Sequence, residues 1–127
     1  MATRSMLVFA DVQNGEILNT YCHFDGYPGH MMKVLPSYDT EEKVRELLNM
    51  GDASSIVDTL EASIFYSRDR GEDLQMNRFK IVDKYDLANV KHLLARASVE
   101  YLYFYLNGTW IWCQCNSVRD LELNFQV

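Results

Sequence analysis

YLYFYLNGTWIWC, residues 101–113, sets six aromatic and aliphatic residues on one side of an Asn-Gly pair and the run Thr-Trp-Ile-Trp-Cys on the other. Asn-Gly supplies the two positive φ angles of a type I′ turn, so the stretch reads as a two-residue hairpin. The loop length fixes the register. Leu106 opposes Thr109, Tyr105 opposes Trp110, Phe104 opposes Ile111, Tyr103 opposes Trp112, and Leu102 opposes Cys113. One face then carries Leu102, Phe104, Leu106, Ile111 and Cys113, an apolar floor for helices. The other carries Tyr101, Tyr103, Tyr105, Trp110 and Trp112, a ladder of amphipathic rings larger than the apolar patch a soluble monomer normally exposes. Three covers suit it: the C-terminal tail, a second copy of the chain in a homodimer, or a ligand that stacks.

Outward from this hairpin, a second Asn-Gly pair, Asn14-Gly15, separates an apolar run over 6–12 from an alternating run over 16–24 and predicts a first hairpin. Between the two hairpins, Asp39 or Thr40 caps a helix with Val44, Leu47 and Leu48 on one stripe, Glu41 one turn from Arg45, and Gly51 at its close. A second helix starts at Asp86 and runs through Leu87, Val90, Leu93, Leu94 and Ala97. Residues 63–67 read as a further strand ending in the charged turn Arg68-Asp69-Arg70-Gly71-Glu72. Residues 79–82 suit a short strand or a helical turn, and the tail over 117–127 suits a helix or an edge strand. The sum is an α+β domain over residues 1–127: an antiparallel sheet of two Asn-Gly hairpins plus a further strand, with two main helices on one face.

The chain has 127 residues, 48% hydrophobic and 13% aromatic, with a net charge of -6. That suits one globular domain able to bury a core without staples. Acidic residues are interleaved with twelve Lys and Arg, which disfavours nonspecific nucleic-acid binding and falls short of the dense carboxylate array of a DNA mimic. No apolar run reaches the roughly 18 residues of a membrane span, and no secretory signal is readable at the N-terminus, so the expectation is a cytosolic protein with no membrane partner. Three cysteines, two of them at 113 and 115, suit reduced thiols.

YCHFDGYPGH, residues 21–30, concentrates polar chemistry. As a corner, Asp25 accepts backbone hydrogen bonds, Gly26 takes a positive φ and Tyr27 is held extended before Pro28. As a site, His23, Asp25 and His30 line a cleft for acid and base work. A metal set of Cys22, His23, His30 and Cys113 or Cys115 is disfavoured, because Cys22 and His23 point to opposite faces of a strand and no C-x-x-C or H-E-x-x-H spacing occurs. No metal or cofactor is expected. Arg68 and Arg70, with Gly71 beside them, are the best anion-binding candidates, against the blander reading of a solvated turn with local ion pairs. No P-loop, G-x-G-x-x-G or G-x-S-x-G motif is present.

Thr3-Arg4-Ser5, Tyr21-Cys22-His23 with Asp25-Gly26-Tyr27-Pro28, Glu42-Lys43-Val44 with Gly51-Asp52-Ala53-Ser54-Ser55, and Arg68-Asp69-Arg70-Gly71-Glu72 together resemble a family of small proteins of tailed bacteriophages and prophages. The resemblance spans roughly residues 1 to 72 and continues weakly into the aromatic C-terminal hairpin, with DGYP and RDRGE its most specific parts, and departs at Gly29-His30-Met31-Met32. It implies a viral accessory protein acting in the cytoplasm of a bacterial host and carries no reaction with it. Two function classes follow. The first is a noncatalytic binder that antagonises a host or defence protein or sequesters a nucleotide, with Tyr27, Arg68, Arg70, Tyr103, Trp110 and Trp112 as ligand-binding residues. The second is a small nucleotide-directed hydrolase or transferase with His23 as base, Asp25 orienting it, and Arg68 and Arg70 stabilising negative charge.

Overall fold

The computed structural model describes residues 2–11, 15–73, 77–80, 99–106 and 108–114. The chain opens with β1 (Ser5–Asp11) and β2 (Glu16–Cys22), paired antiparallel from Asp11↔Glu16 to Ser5↔Cys22. It closes, within the described residues, with β6 (Tyr101–Leu106) and β7 (Thr109–Gln114), paired antiparallel from Leu106↔Thr109 to Tyr101↔Gln114. That is the register expected from the loop length. Gly15 and Gly108 both adopt positive φ, 67° and 80°, while Asn14 and Asn107 lie outside the described residues, as do the expected helix over 86–97 and the tail over 117–127.

The sheet is mixed, not antiparallel throughout. β6 lies parallel to β1, Leu7 beside Tyr103 and Phe9 beside Tyr105. At the other end, β2 leads into α1 (Pro28–Val34), a 3-10 turn (Leu35–Ser37) and α2 (Glu41–Leu48), and the chain returns as β3 (Ala53–Ser55), parallel to β2 at Cys22↔Ala53. Hairpin turns fix pairing only between neighbours in sequence. A helical crossover such as 23–52 instead brings the next strand back in parallel. β4 (Ile64–Phe65) pairs antiparallel with β3, α3 (Tyr66–Arg70) follows it directly, and β5 (Asn77–Lys80) pairs with the first half of β2. The strand order is β4-β3-β2-β1-β6-β7, with β5 off that path.

α2 forms as its sequence indicates. Thr40 Oγ1 accepts the Lys43 N–H at 3.2 Å, Arg45 reaches Glu41 at 3.3 Å, and Val44, Leu47 and Leu48 are buried. Gly51, at φ 81°, turns the chain into β3. Arg45 also grips Asp11 bidentately at 2.8 and 3.0 Å and lies 5.7 Å from the Phe9 ring centroid, tying the helix to β1.

The helices cover the aromatic face of the C-terminal hairpin, the reverse of the expected assignment. Tyr103, Tyr105 and Trp110 belong to one buried cluster with Leu7, Phe9, Leu18, Met31, Leu35, Val44 and Leu47. The reason lies in their polar tips. Tyr103 Oη donates to Gly26 O at 2.6 Å, Trp110 Nε1 to Tyr38 O at 3.0 Å, and Tyr105 Oη to Asp39 O at 2.9 Å. These rings are long enough to cross the layer and satisfy carbonyls of the crossover segment, which aliphatic side chains cannot do. Leu102 and Phe104, on the opposite face, are buried with Met6, Val8 and Ile17, so both faces of the sheet are covered. Of the ladder, Trp112 remains 42% exposed, 5.9 Å from a half-buried Tyr101. The case for a homodimer through this ladder therefore loses most of its exposed rings.

Candidate functional site

The corner after β2 is fixed on several sides. His23 N–H donates to Ala53 O at 3.0 Å and Phe24 N–H to Ser54 O at 2.9 Å, extending the β2–β3 ladder. Gly26 N–H then donates to Thr3 O at 2.9 Å, while Gly26 O accepts the Tyr103 hydroxyl. The positive φ falls on Asp25, at 57°, and not on Gly26. Gly26 is needed for a different reason: a Cβ there would meet Ser5 Cβ, Ser5 Oγ and Thr3 O at 2.6 Å. Tyr27 is extended, φ -77° and ψ 151°, as a residue before proline prefers, and Pro28 begins α1.

What this corner presents is aromatic. Phe24 is 43% and Tyr27 45% exposed. His23 lies edge-on to Phe24 with ring centroids 4.5 Å apart, and its Nδ1 shares a 2.7 Å hydrogen bond with the Tyr21 hydroxyl. His30 turns the other way, its Nε2–H donating to Ile56 O at 2.8 Å. Among the described residues the hydrogen-bond partner of the His23 ring is Tyr21, that of the His30 ring is Ile56 O, and no hydrogen bond joins either ring to Asp25. Cys22 is buried, its thiol donating to Phe24 O at 3.3 Å and pushed up to about 12 by burial. Among the described residues no three His, Cys, Asp or Glu side chains converge as a metal site.

The RDRGE segment is the short helix α3 and its cap, not a charged turn. Gly71 adopts φ 66° and its N–H closes the helix onto Ser67 O. Arg68 binds Asp69 through two nitrogens at 2.9 Å, donates to Leu60 O at 2.8 Å and Ser63 O at 2.6 Å, and lies 5.1 Å from the Phe65 ring centroid. Asp69 in turn accepts the Phe65 N–H at 2.8 Å, and Arg68 holds its carboxyl below the usual range. Arg68 therefore staples residues 60–69 with its own donors. Arg70 is less committed, stacked over Tyr66 at 5.2 Å and donating to Ser54 Oγ at 3.4 Å.

A cleft of about 610 Å³ opens beside these two segments, lined by Tyr21, Asp52, Tyr66, Gly71, Glu72 and Asp73. Asp52 Oδ1 accepts the Tyr21 N–H at 3.2 Å, and its backbone carbonyl accepts the Tyr66 N–H at 3.2 Å, so one residue ties β2 to the start of α3. Burial raises both the Asp52 carboxyl and the Tyr21 hydroxyl. Sequence spacing does not reveal this cleft. The signal within reach was the period of two that puts Tyr21 on the same strand face as His23; nothing in sequence spacing joins either to Asp52 or Tyr66. Tyr103 and Trp110, expected to bind a ligand, are internal packing residues, and the exposed members of that set are Tyr27, Arg68, Arg70 and Trp112. No known protein family, curated protein or solved structure matches the chain.

Proposed function

We propose that this chain is a noncatalytic binding protein of bacteriophage or prophage origin that acts in the bacterial host cytoplasm and antagonises a host or defence protein through the corner His23–Tyr27. One observation carries the reading. Phe24 and Tyr27 are two large exposed aromatic side chains on a backbone held by hydrogen bonds to Ala53, Ser54, Thr3 and Tyr103. Aromatic anchors dominate protein interfaces, and a backbone already fixed before binding spares the entropy of ordering it. The viral setting rests on the resemblance carried by Asp25-Gly26-Tyr27-Pro28 and Arg68-Asp69-Arg70-Gly71-Glu72. A protein target is favoured over a nucleotide because Tyr103 and Trp110 stack inside the core and the Arg68 donors are engaged within the chain.

The test compares the full chain with a Phe24→Ala, Tyr27→Ala double variant as bait in host lysate. A host protein retained by the parent and lost from a variant of equal melting temperature supports the reading. Identical capture by both baits, or a melting shift of several degrees with a nucleotide and not with any protein, refutes it.

A further inference from the structure

Asp52 is a half-buried carboxylate with no cation paired to it among the described residues. Its Oδ1 accepts the Tyr21 N–H, while Oδ2 has no hydrogen-bond partner among the described residues. Burial pushes this carboxyl up, opposed by the Tyr21 N–H and by no basic side chain. Arg68 is paired with Asp69 and Arg70 with the Tyr66 ring and Ser54 Oγ, while the charge of Arg4 acts on the Tyr21 hydroxyl and not on Asp52. A partly desolvated carboxylate without a counter-ion is costly, and such a group lining a cleft is a candidate for binding a cationic group.

The cleft around it has a definite chemistry. Two phenol rings, Tyr21 and Tyr66, stand with Asp52, and Glu72 and Asp73 add negative charge to the lining. Tyr21 also connects it to the aromatic corner, through its hydroxyl to His23 and from the His23 ring to Phe24. A planar, weakly hydrated guanidinium suits aromatic walls and a carboxylate better than an ammonium does. Arg70 on Tyr66 already displays that pairing within the chain.

We propose that this cleft receives the side chain of an arginine carried by the partner protein, Asp52 Oδ2 accepting its N–H groups and a tyrosine ring lying against its plane. The inference rests on the protein-binding reading of the corner and names what the partner presents beside it.

The probe is N-acetyl-arginine N-methylamide, titrated into the full ¹⁵N-labelled chain and followed by NMR, with the lysine counterpart as comparison. Saturable shifts at the Tyr21, Asp52 and Tyr66 amides are expected, with a dissociation constant on the order of millimolar for so small a ligand. The lysine probe binds more weakly. Asp52→Asn, which keeps the Oδ1 acceptor, weakens the arginine probe about tenfold, the order of a lost charge-assisted hydrogen bond. Tyr66→Leu gives an independent loss if Asp52→Asn does not fold. Absence of saturable shifts, an equal response to lysine, or unchanged affinity in both variants overturns the proposal. The Phe24→Ala, Tyr27→Ala variant should bind the probe like the parent. A failed titration therefore removes the arginine site alone, whereas capture that ignores the corner with an intact titration removes the corner.

Discussion

Gly26→Ala tests whether the corner is held by close approach. The new Cβ would sit 2.6 Å from Thr3 O, Ser5 Cβ and Ser5 Oγ. These atoms belong to the start of the sheet, so relief requires the corner to move off β1. That movement lengthens the 2.9 Å bond from Gly26 N–H to Thr3 O and the 2.6 Å bond from Tyr103 to Gly26 O. Overpacking costs about 1–3 kcal/mol and a weakened hydrogen bond adds about 1, for a total of about 2–4 kcal/mol. At about 2.1 cal/mol/K of unfolding entropy per residue, 1 kcal/mol shifts the melting temperature of a chain of 127 residues by about 4 °C, so a drop of about 8–15 °C is expected. Calorimetry reads the shift, and urea unfolding should move its midpoint at constant slope. Asp25→Gly is the contrast. At φ 57° a glycine fits without a Cβ penalty while loosening the unfolded chain, so stability should change by no more than about 0.5 kcal/mol. A Gly26→Ala variant melting within about 2 °C of the parent, or one less harmful than Asp25→Gly, would refute the account.

Arg45→Met removes the bidentate pair on Asp11, whose side chain is 2% exposed, and should cost about 2–4 kcal/mol in urea unfolding; a loss below about 1 kcal/mol would mean the pair is not what ties α2 to β1. Asp52→Asn should raise stability at pH 7, because the raised carboxyl pKa means that ionising Asp52 costs the folded state more than the unfolded one. Both states are protonated below the ordinary value of 3.8, so the advantage should vanish there and grow as pH rises through the folded pKa. A variant less stable at neutral pH contradicts this. The Cys22 thiol, pushed up from 9.0 to about 12, stays neutral in the fold, so its contribution to stability should be complete below pH 9 and decline between 9 and about 12. Peptide mass spectrometry after iodoacetamide treatment should find Cys22 unmodified in the native protein and alkylated in urea; native alkylation would argue against its burial.

Local chemistry in the sequence determined the pieces whose partners are close in the chain. The register Leu106↔Thr109 to Leu102↔Cys113 follows from a two-residue loop, the Thr40 cap and the Val44, Leu47, Leu48 stripe from helical spacing, and the extended Tyr27 from the proline after it. Tertiary structure decided what joins segments far apart. A hairpin offers two faces, and neither its alternation nor its turn says which one meets the helices. The choice fell to Tyr103, Tyr105 and Trp110, whose polar tips found the carbonyls of Gly26, Asp39 and Tyr38, 66 to 77 residues away in sequence. The parallel pairing of β1 with β6 likewise rests on a separation that no turn constrains. The same holds for the corner and the cleft. Gly26 looked like a turn glycine, yet the reason for it is the approach of Thr3 and Ser5, and Asp52 is a half-buried carboxylate without a basic partner among the described residues only because β2 and α3 meet around it. Close approach and burial depend on distances across the folded chain, which sequence spacing does not encode.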